Sequence, residues 1–280
     1  MENRIITAAM LHSFRDHLTE NEKASATLEK YMRDIRFFAE FAANRLLDKS
    51  LVLEYKAHLG QNYAPRSANS MLAALNSFLR FFGWFDLCPK QFKLQKEVYC
   101  SEDKELTKSE YAALVRAAEK EKNKRLSLVV QTICGTGIRV SELQCITLEA
   151  VKKGEALVSC KGKTRKIFIV QALRSKLLRY AAENKILTGL LFVTQGGKPL
   201  NRSNIWKEMK KLCQSAGVSP QKVFPHNLRH LFARTFYGIE KDIAKLADIL
   251  GHSNINTTRL YTITTGAEHR RKLENMKLIL

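Results

Sequence analysis

Two groupings of ionisable side chains stand close together between Phe224 and Ile263: His226, Arg229 and His230, then, past an apolar helical run, His252, Arg259 and Tyr261. A guanidinium presents planar, paired donors to non-bridging phosphate oxygens, imidazoles donate to the same oxygens or carry protons, and a phenol can act as an oxygen nucleophile. One segment therefore holds the side-chain types needed to attack a phosphodiester. Each alone says little: a single histidine is more often a satisfied structural group, and most of the eight tyrosines must be core or surface.

A further arginine, Arg139, follows the break Gly135-Thr-Gly137, and Val140, Leu143 and Ile146 then suggest a helix with Ser141 and Glu142 on its polar side, Glu142 three residues after Arg139. Two readings are compatible there, a phosphate ligand and a salt bridge to Glu142 that fixes the guanidinium's orientation. The run Lys161-Gly-Lys-Thr-Arg-Lys166 reads as a basic hairpin between short strands at Ala156 to Cys160 and Ile167 to Val170. Its Gly162-Lys163-Thr164 matches the end of a nucleotide-binding loop, but that motif needs glycine at position 157, where Leu157 stands.

The pattern Pro-His-x-x-Arg-His, then Leu-Gly-His-Ser, then Thr-Thr-x-x-Tyr, with GTGIRVSEL at Gly135 to Leu143, resembles the catalytic domain of tyrosine recombinases, the integrase and Xer-like group. The resemblance implies that Arg139 and Arg229 clamp a scissile phosphate while His252 donates a further hydrogen bond. Tyr261, on a helix after Thr257 and Thr258, would form a 3′-phosphotyrosyl link with His226 helping as general base. Lys161, or Lys163 as the alternative, would protonate the departing 5′ oxygen, and His230 would be structural support. Neither a metal nor any other cofactor is implied. The expected partner is double-stranded DNA carrying a specific recombination site, bound by a homotetramer that passes through a Holliday junction. Integration of a mobile element and Xer-type resolution both remain open. Relaxation by a type IB topoisomerase and a non-catalytic DNA-binding regulator are the alternatives, and the intact set of six residues counts against the second.

The remaining composition agrees with a polyanionic partner. Lys and Arg number 47 against 27 Asp and Glu, a net charge of +20. Residues 1–100 carry 14 basic and 11 acidic side chains, against 33 and 16 in residues 101–280, so the second part is the electropositive one. A hydrophobic share of 45% excludes a disordered basic tail. Six cysteines without a Cys-x-x-Cys pair, no signal peptide and no apolar run of membrane-spanning length point to a cytoplasmic protein with reduced thiols.

These residues need a scaffold, and periodicity predicts one that is mainly α-helical and divided in two. Apolar residues at helical spacing mark four N-terminal helices, among them Leu28 to Ala42 and the run after Pro65, which form a small bundle over residues 1–88. By resemblance this is a SAM-like core-binding domain. Tyr31, Phe38 and Phe78 are expected in its core, while Arg33, Arg36, Arg66 and Arg80 are candidates for DNA phosphates. Residues 89–105 read as a linker. Thr107 with Glu110 forms a capping box that opens a catalytic domain over 106–280, mostly helical with a small sheet. Asn201 or Ser203 should cap a basic helix whose first turns, with Arg202, Asn204 and Lys207, suit a DNA groove. The apolar end at Met276 to Leu280 needs a pocket, in its own domain or on a neighbouring protomer.

Overall fold

The computed structural model describes residues 4–94, 104–160, 163–261, 270–271 and 274–276, with the side chains of Cys160 and Lys163 outside that set. The C-terminal apolar end falls almost wholly outside it. The chain divides into two compact units, Met1–Lys96 and Glu97–Leu280.

The first unit is built from α1 (Ala8–Glu20), α2 (Ser25–Ala42), α3 (Lys49–Asn62) and α4 (Pro65–Phe81). Their starts are chemical. Thr7 accepts from the Met10 N–H at the head of α1, Asp48 accepts from Leu51 at 2.8 Å before α3, and Pro65 sits in the first turn of α4. The apolar faces then close on one another, with Phe14, Leu18, Ile35, Phe38, Leu59, Leu72 and Phe78 all buried. Phe14 meets Phe78 edge-on at 5.2 Å, and Tyr31 packs half-buried at the rim. Each such buried side chain contributes roughly 1.5–3 kcal/mol relative to exposure.

The stretch expected as a linker is fastened at both ends. Asn69 bonds Phe92 in both directions, Nδ2 donating to its carbonyl at 2.9 Å and Oδ1 accepting its N–H at 2.7 Å. Asn76 donates to the Pro89 carbonyl. Beyond the undescribed residues 95–103, Asn227 Nδ2 donates to the Lys104 carbonyl at 2.7 Å and Leu106 joins the second core.

The second unit opens with α5 (Lys108–Lys120), begun by the Thr107/Glu110 capping box. It continues through α6 (Lys124–Thr136), a 3-10 turn at Val140–Cys145, α7 (Leu148–Lys153), the hairpin β1 (Glu155–Cys160) and β2 (Lys163–Phe168), and α8 (Gln171–Glu183). The last elements are α9 (Arg202–Ala216), α10 (Pro225–Glu240), α11 (Ile243–Leu250) and α12 (Ile255–Arg259). Buried residues encircle α6, among them Leu126, Val129, Val130 and Ile133, and α10 packs along it. That helix is the axle of the unit.

Two local expectations change. Lys163 to Lys166, read as part of the connecting loop, belong to β2: Cys160 faces Lys163 and Val158 faces Arg165 across the antiparallel pair. Alternation then turns Arg165, Ile167 and Ile169 inward. The segment after Arg139 is 3-10 rather than α-helical, and Glu142, expected on a polar side, is buried because two arginines neutralise it.

Candidate active site

The site begins where α6 stops. Gly137 ends the helix with φ +66°, and a side chain there would run into the Phe232 ring of α10, so the close approach of the two helices requires glycine. This turn places the Gly137 carbonyl and Arg139 beside α10. From α10, Arg229 is only 2% exposed. Its Nη1 donates to the Gly137 carbonyl at 2.6 Å, and its Nη2 to the Leu250 carbonyl at 2.7 Å. Burial, then the charge of Arg139, lower its pKa, with Tyr261 and Glu142 pushing the other way. A buried guanidinium with main-chain acceptors is locked in orientation before any ligand arrives.

Arg229 Nη2 also lies 3.0 Å from His252 Nε2. Guanidinium nitrogen only donates, so Nε2 accepts and the ring proton sits on Nδ1, which donates to Thr258 Oγ1 at 2.8 Å. His252 is neutral in this arrangement. Burial, then the charges of Arg229, Arg139 and Arg165, bring its pKa down to about 4. Thr258, on α12, is fully buried.

Tyr261 is 4% exposed and packs with Ala233, Leu246 and Leu250. It stands in the turn after α12, which ends at Arg259, and its N–H donates to the Thr258 carbonyl at 2.9 Å. The expectation of a helical Tyr261 is thus corrected: the helix is only five residues long. Three imidazoles surround the phenol ring. His252 stacks on it at 5.6 Å with 9° between planes, His230 lies at 4.4 Å and His226 at 5.9 Å. His226, lowered by burial and by the charges of Arg229, Arg202 and Arg139, favours its neutral form. Burial and His226 bring His230 down to about 4, and Glu105 Oε1 lies 4.0 Å from its Nδ1.

Arg139 heads the 3-10 turn, one third exposed. Its N–H donates to Glu142 Oε2 at 2.7 Å and its Nη1 to Oε1 at 2.8 Å. The salt bridge is present, and the side chain keeps an open edge. The same carboxylate receives Arg165 from β2, Nη1 at 2.9 Å and Nη2 at 2.7 Å. Burial pushes the Glu142 pKa up, but the Arg165 and Arg139 hydrogen bonds outweigh it and hold the group below the usual carboxylate range.

Five of the six sequence-predicted site residues, Arg139, His226, Arg229, His252 and Tyr261, therefore converge on one place. Lys161 lies outside the described residues, as does the Lys163 side chain. Arg202 opens α9 after the Asn201 cap, and its charge reaches His226. Asn204 and Lys207 sit on the first turns of α9, Lys207 exposed. Arg33 and Arg36 on α2 and Arg66 and Arg80 on α4 are exposed on the first unit. Sequence reasoning missed two groups: Arg165, visible only once the strand's alternation starts at Lys163, and Thr258, which holds His252. Among the described residues no three His, Cys, Asp or Glu side chains gather as a metal site would require. Among them, too, no helix is long and apolar enough to cross a membrane.

Residues 104–267 match the phage integrase family, and residues 11–84 match the phage integrase N-terminal SAM-like domain. The chain is 31% identical to tyrosine recombinase XerA of Thermococcus kodakarensis over 96% of both chains. It is 29% identical to tyrosine recombinase XerD of Xanthomonas axonopodis pv. citri, covering 95% of this chain and 96% of that one. Its fold resembles a lambda integrase solved as a tetramer bound to a Holliday junction, with a TM-score of 0.74 and 18% identity, covering 93% of this chain and 78% of that one.

Proposed function

Because this chain belongs to the phage integrase family and is a tyrosine-type site-specific DNA recombinase, we infer that Tyr261 is the nucleophile that cuts and rejoins the strand. The observation that carries this is the chain of hydrogen bonds from Arg229 through His252 to Thr258, with Tyr261 stacked on the His252 ring. Nothing about core packing needs those four groups aligned.

Arg139 and Arg229 hold the non-bridging oxygens of the scissile phosphate and stabilise the charge of its pentacoordinate transition state. Three N–H groups of Arg229 are engaged with Gly137, Leu250 and His252, and a further side-chain hydrogen bond joins it to Tyr261, so the guanidinium that meets the phosphate already holds the nucleophile beside it. When phosphate draws on Arg229, the Thr258 hydroxyl can reverse and donate to Nδ1. The His252 proton then moves to Nε2, where it can meet the same oxygens. The Tyr261 oxygen bonds to phosphorus, its proton passes to His226, and the bond to the 5′ oxygen breaks as Lys161 supplies a proton. A 5′ hydroxyl from another strand reverses the step, so no cofactor is consumed.

Residues 1–88 grip the duplex as a core-binding domain and 106–280 act as the catalytic domain. Basic side chains at Arg33, Arg36, Arg66, Arg80, Lys163, Arg202 and Lys207, with the amide of Asn204, contact DNA in this reading. Exchange between two duplexes calls for four copies, hence a homotetramer on DNA, working in the cytoplasm where its substrate is. A nicked suicide substrate tests the central claim. The unaltered chain should accumulate a covalent protein–DNA adduct, and Tyr261→Phe should bind the DNA and form none; an adduct in the Phe variant places the nucleophile elsewhere.

A further inference from the structure

We propose that Arg165 is a positioning residue for the reaction: it holds Glu142, and through it Arg139, in the orientation that receives the scissile phosphate. The inference rests on the phosphate-clamping role given to Arg139 above. The contacts of Arg165 form a closed set. Its side chain is 12% exposed, and all three guanidinium nitrogens face protein acceptors. Nη1 and Nη2 take both oxygens of Glu142, and Nε donates to the Ile249 carbonyl at 3.0 Å. With each nitrogen turned to a protein acceptor and only 12% of the side chain exposed, little of this guanidinium can reach DNA. It is built to hold, not to bind.

The carboxylate it holds is buried at 4% exposure and accepts four donors, two from Arg165 and two from Arg139. Glu142 alone could swing about its side-chain torsions. The bidentate pair with Arg165 fixes the carboxylate plane, and that plane in turn dictates where Arg139 Nη1 must lie. The charge balance also favours this division. Two arginines share one carboxylate, so Arg165 completes the neutralisation of Glu142 and Arg139 keeps net positive character for phosphate.

A second observation concerns the other side of Arg165. Gly251, at φ +66°, ends α11, and a Cβ there would lie 2.8 Å from Arg165 Nη1 and 2.9 Å from its Cδ. The Arg139 Nη2 reaches the Gly251 carbonyl, at 3.4 Å. His252 follows directly. The backbone has therefore given up a side chain so that Arg165 can lie under the turn that carries His252, between that turn and Glu142. One residue on β2 thus ties the hairpin, the Arg139 turn and the His252 turn into a single frame.

The test uses two substrates that each remove the need for one group. A methylphosphonate carries a methyl in place of a non-bridging oxygen and is uncharged, so it lessens the need for Arg139. A bridging 5′ sulfur leaves as a thiolate, whose conjugate acid has a pKa near ~8.5, so it removes the need for a leaving-group acid. On ordinary DNA, Arg165→Ala in the full chain should lower the cleavage rate about 100-fold, the order expected of a displaced catalytic group. The methylphosphonate should restore cleavage to Arg165→Ala as it does to Arg139→Ala, and the 5′ sulfur should restore neither. Should Arg165→Ala fail to fold, Arg165→Lys, which keeps the charge on one donor nitrogen but loses the paired fork toward Glu142, carries the same comparison with a smaller loss. Rescue of the Arg165 variants by sulfur instead would overturn the proposal, because the residue would then act through the hairpin's proton donor. Rescue by neither substrate, with Arg139→Ala rescued by the phosphonate, would overturn it in favour of general support of the fold. If Arg139→Ala itself does not respond to the phosphonate, the clamp role of Arg139 fails, and the role of Arg165 fails with it.

Discussion

The two units bury different things. In the first, the centre is Phe14, Ile35, Phe38, Leu72 and Phe78, and its buried carboxylate, Asp34, is answered by Lys30 and Arg33, long side chains reaching in from the surface. In the second, a comparable apolar core is interrupted at one edge by Arg229, Glu142 and Thr258, all buried and all hydrogen-bonded. Desolvating a charge costs several kcal/mol unless geometry and partners return it, and apolar replacements of the same shape are often at least as stable. A fold has little reason of its own to keep such a cluster. The difference separates a unit whose interior serves only packing from one whose interior holds a prearranged field.

Two substitutions bring that contrast out most strongly. Phe78→Ala should destabilise the chain by about 3–5 kcal/mol through the cavity it leaves, while the protein that remains folded still forms the covalent adduct. Arg229→Ala should cost about 3 kcal/mol by leaving two buried carbonyls unpaired, and should also abolish adduct formation at temperatures where the variant is fully folded. Thermal unfolding beside adduct yield measures both. If the Arg229 variant is as stable as the unaltered chain, the buried guanidinium contributes nothing to the frame and the contrast collapses.

The next effect is smaller and purely steric. Gly251→Ala places a β-carbon at positive φ and against Arg165, a strain of about 1–3 kcal/mol. Relief by moving Arg165 should lower the cleavage rate roughly tenfold, in line with loss of a partner that orients a functional group, with DNA affinity unchanged. Gly217, also at positive φ but with nothing near its missing side chain, is the control. Its alanine variant should lose some stability and no cleavage. Equal cleavage losses in the two variants would mean that backbone strain, and not the clash with Arg165, is what matters.

Much of this was readable from residue types. Thr107 with Glu110, Asn201 and Pro65 announce helix starts because capping is local chemistry, and all three begin helices as read. The resemblance pointed to Arg139, Arg229, His252 and Tyr261, which the fold does bring together, though which imidazole lies nearest the phenol was not legible: His230, read as support, is closer to Tyr261 than His226. Arg165 was hidden by its neighbours. Among the basic residues of a hairpin it looks like one more solvated charge, and only the register, which pairs it with Val158, turns it inward. Glu142 was misplaced for a related reason, since a glutamate reads as surface until two arginines are seen to meet it.

Acid should separate the units by a subtler route. His252 and His230 have folded pKa values of about 4, below the 6.5 usual for imidazole, chiefly because burial disfavours their charged forms. The unfolded chain therefore binds more protons between these values, so the stability these two histidines contribute falls as pH drops from about 6.5 towards 4, and their contribution levels off below that. With His230→Asn the decline in melting temperature over that window should be shallower than in the unaltered chain. An identical pH profile would mean that the imidazole is not held neutral by the fold.

The smallest effects are expected on the first unit's surface, where Arg33, Arg36, Arg66 and Arg80 are exposed on α2 and α4. Alanine at Arg36, Arg66 or Arg80 should change stability by less than about 0.5 kcal/mol, as for most surface positions, whereas Arg33→Ala also removes a partner of the buried Asp34. Their proposed value lies in binding phosphates, and each phosphate no longer neutralised should lower the slope of log affinity against log salt by about 0.9. Such a variant should weaken binding to specific and unrelated duplexes alike, because phosphate carries no sequence information. Cleavage at saturating protein should be unchanged, in contrast to every substitution in the buried cluster. Where the slope matches that of the unaltered chain, the arginine touches no phosphate and is only solvated. If instead affinity falls for the recombination site alone, that arginine reads bases, and the first unit contributes to site choice as well as grip.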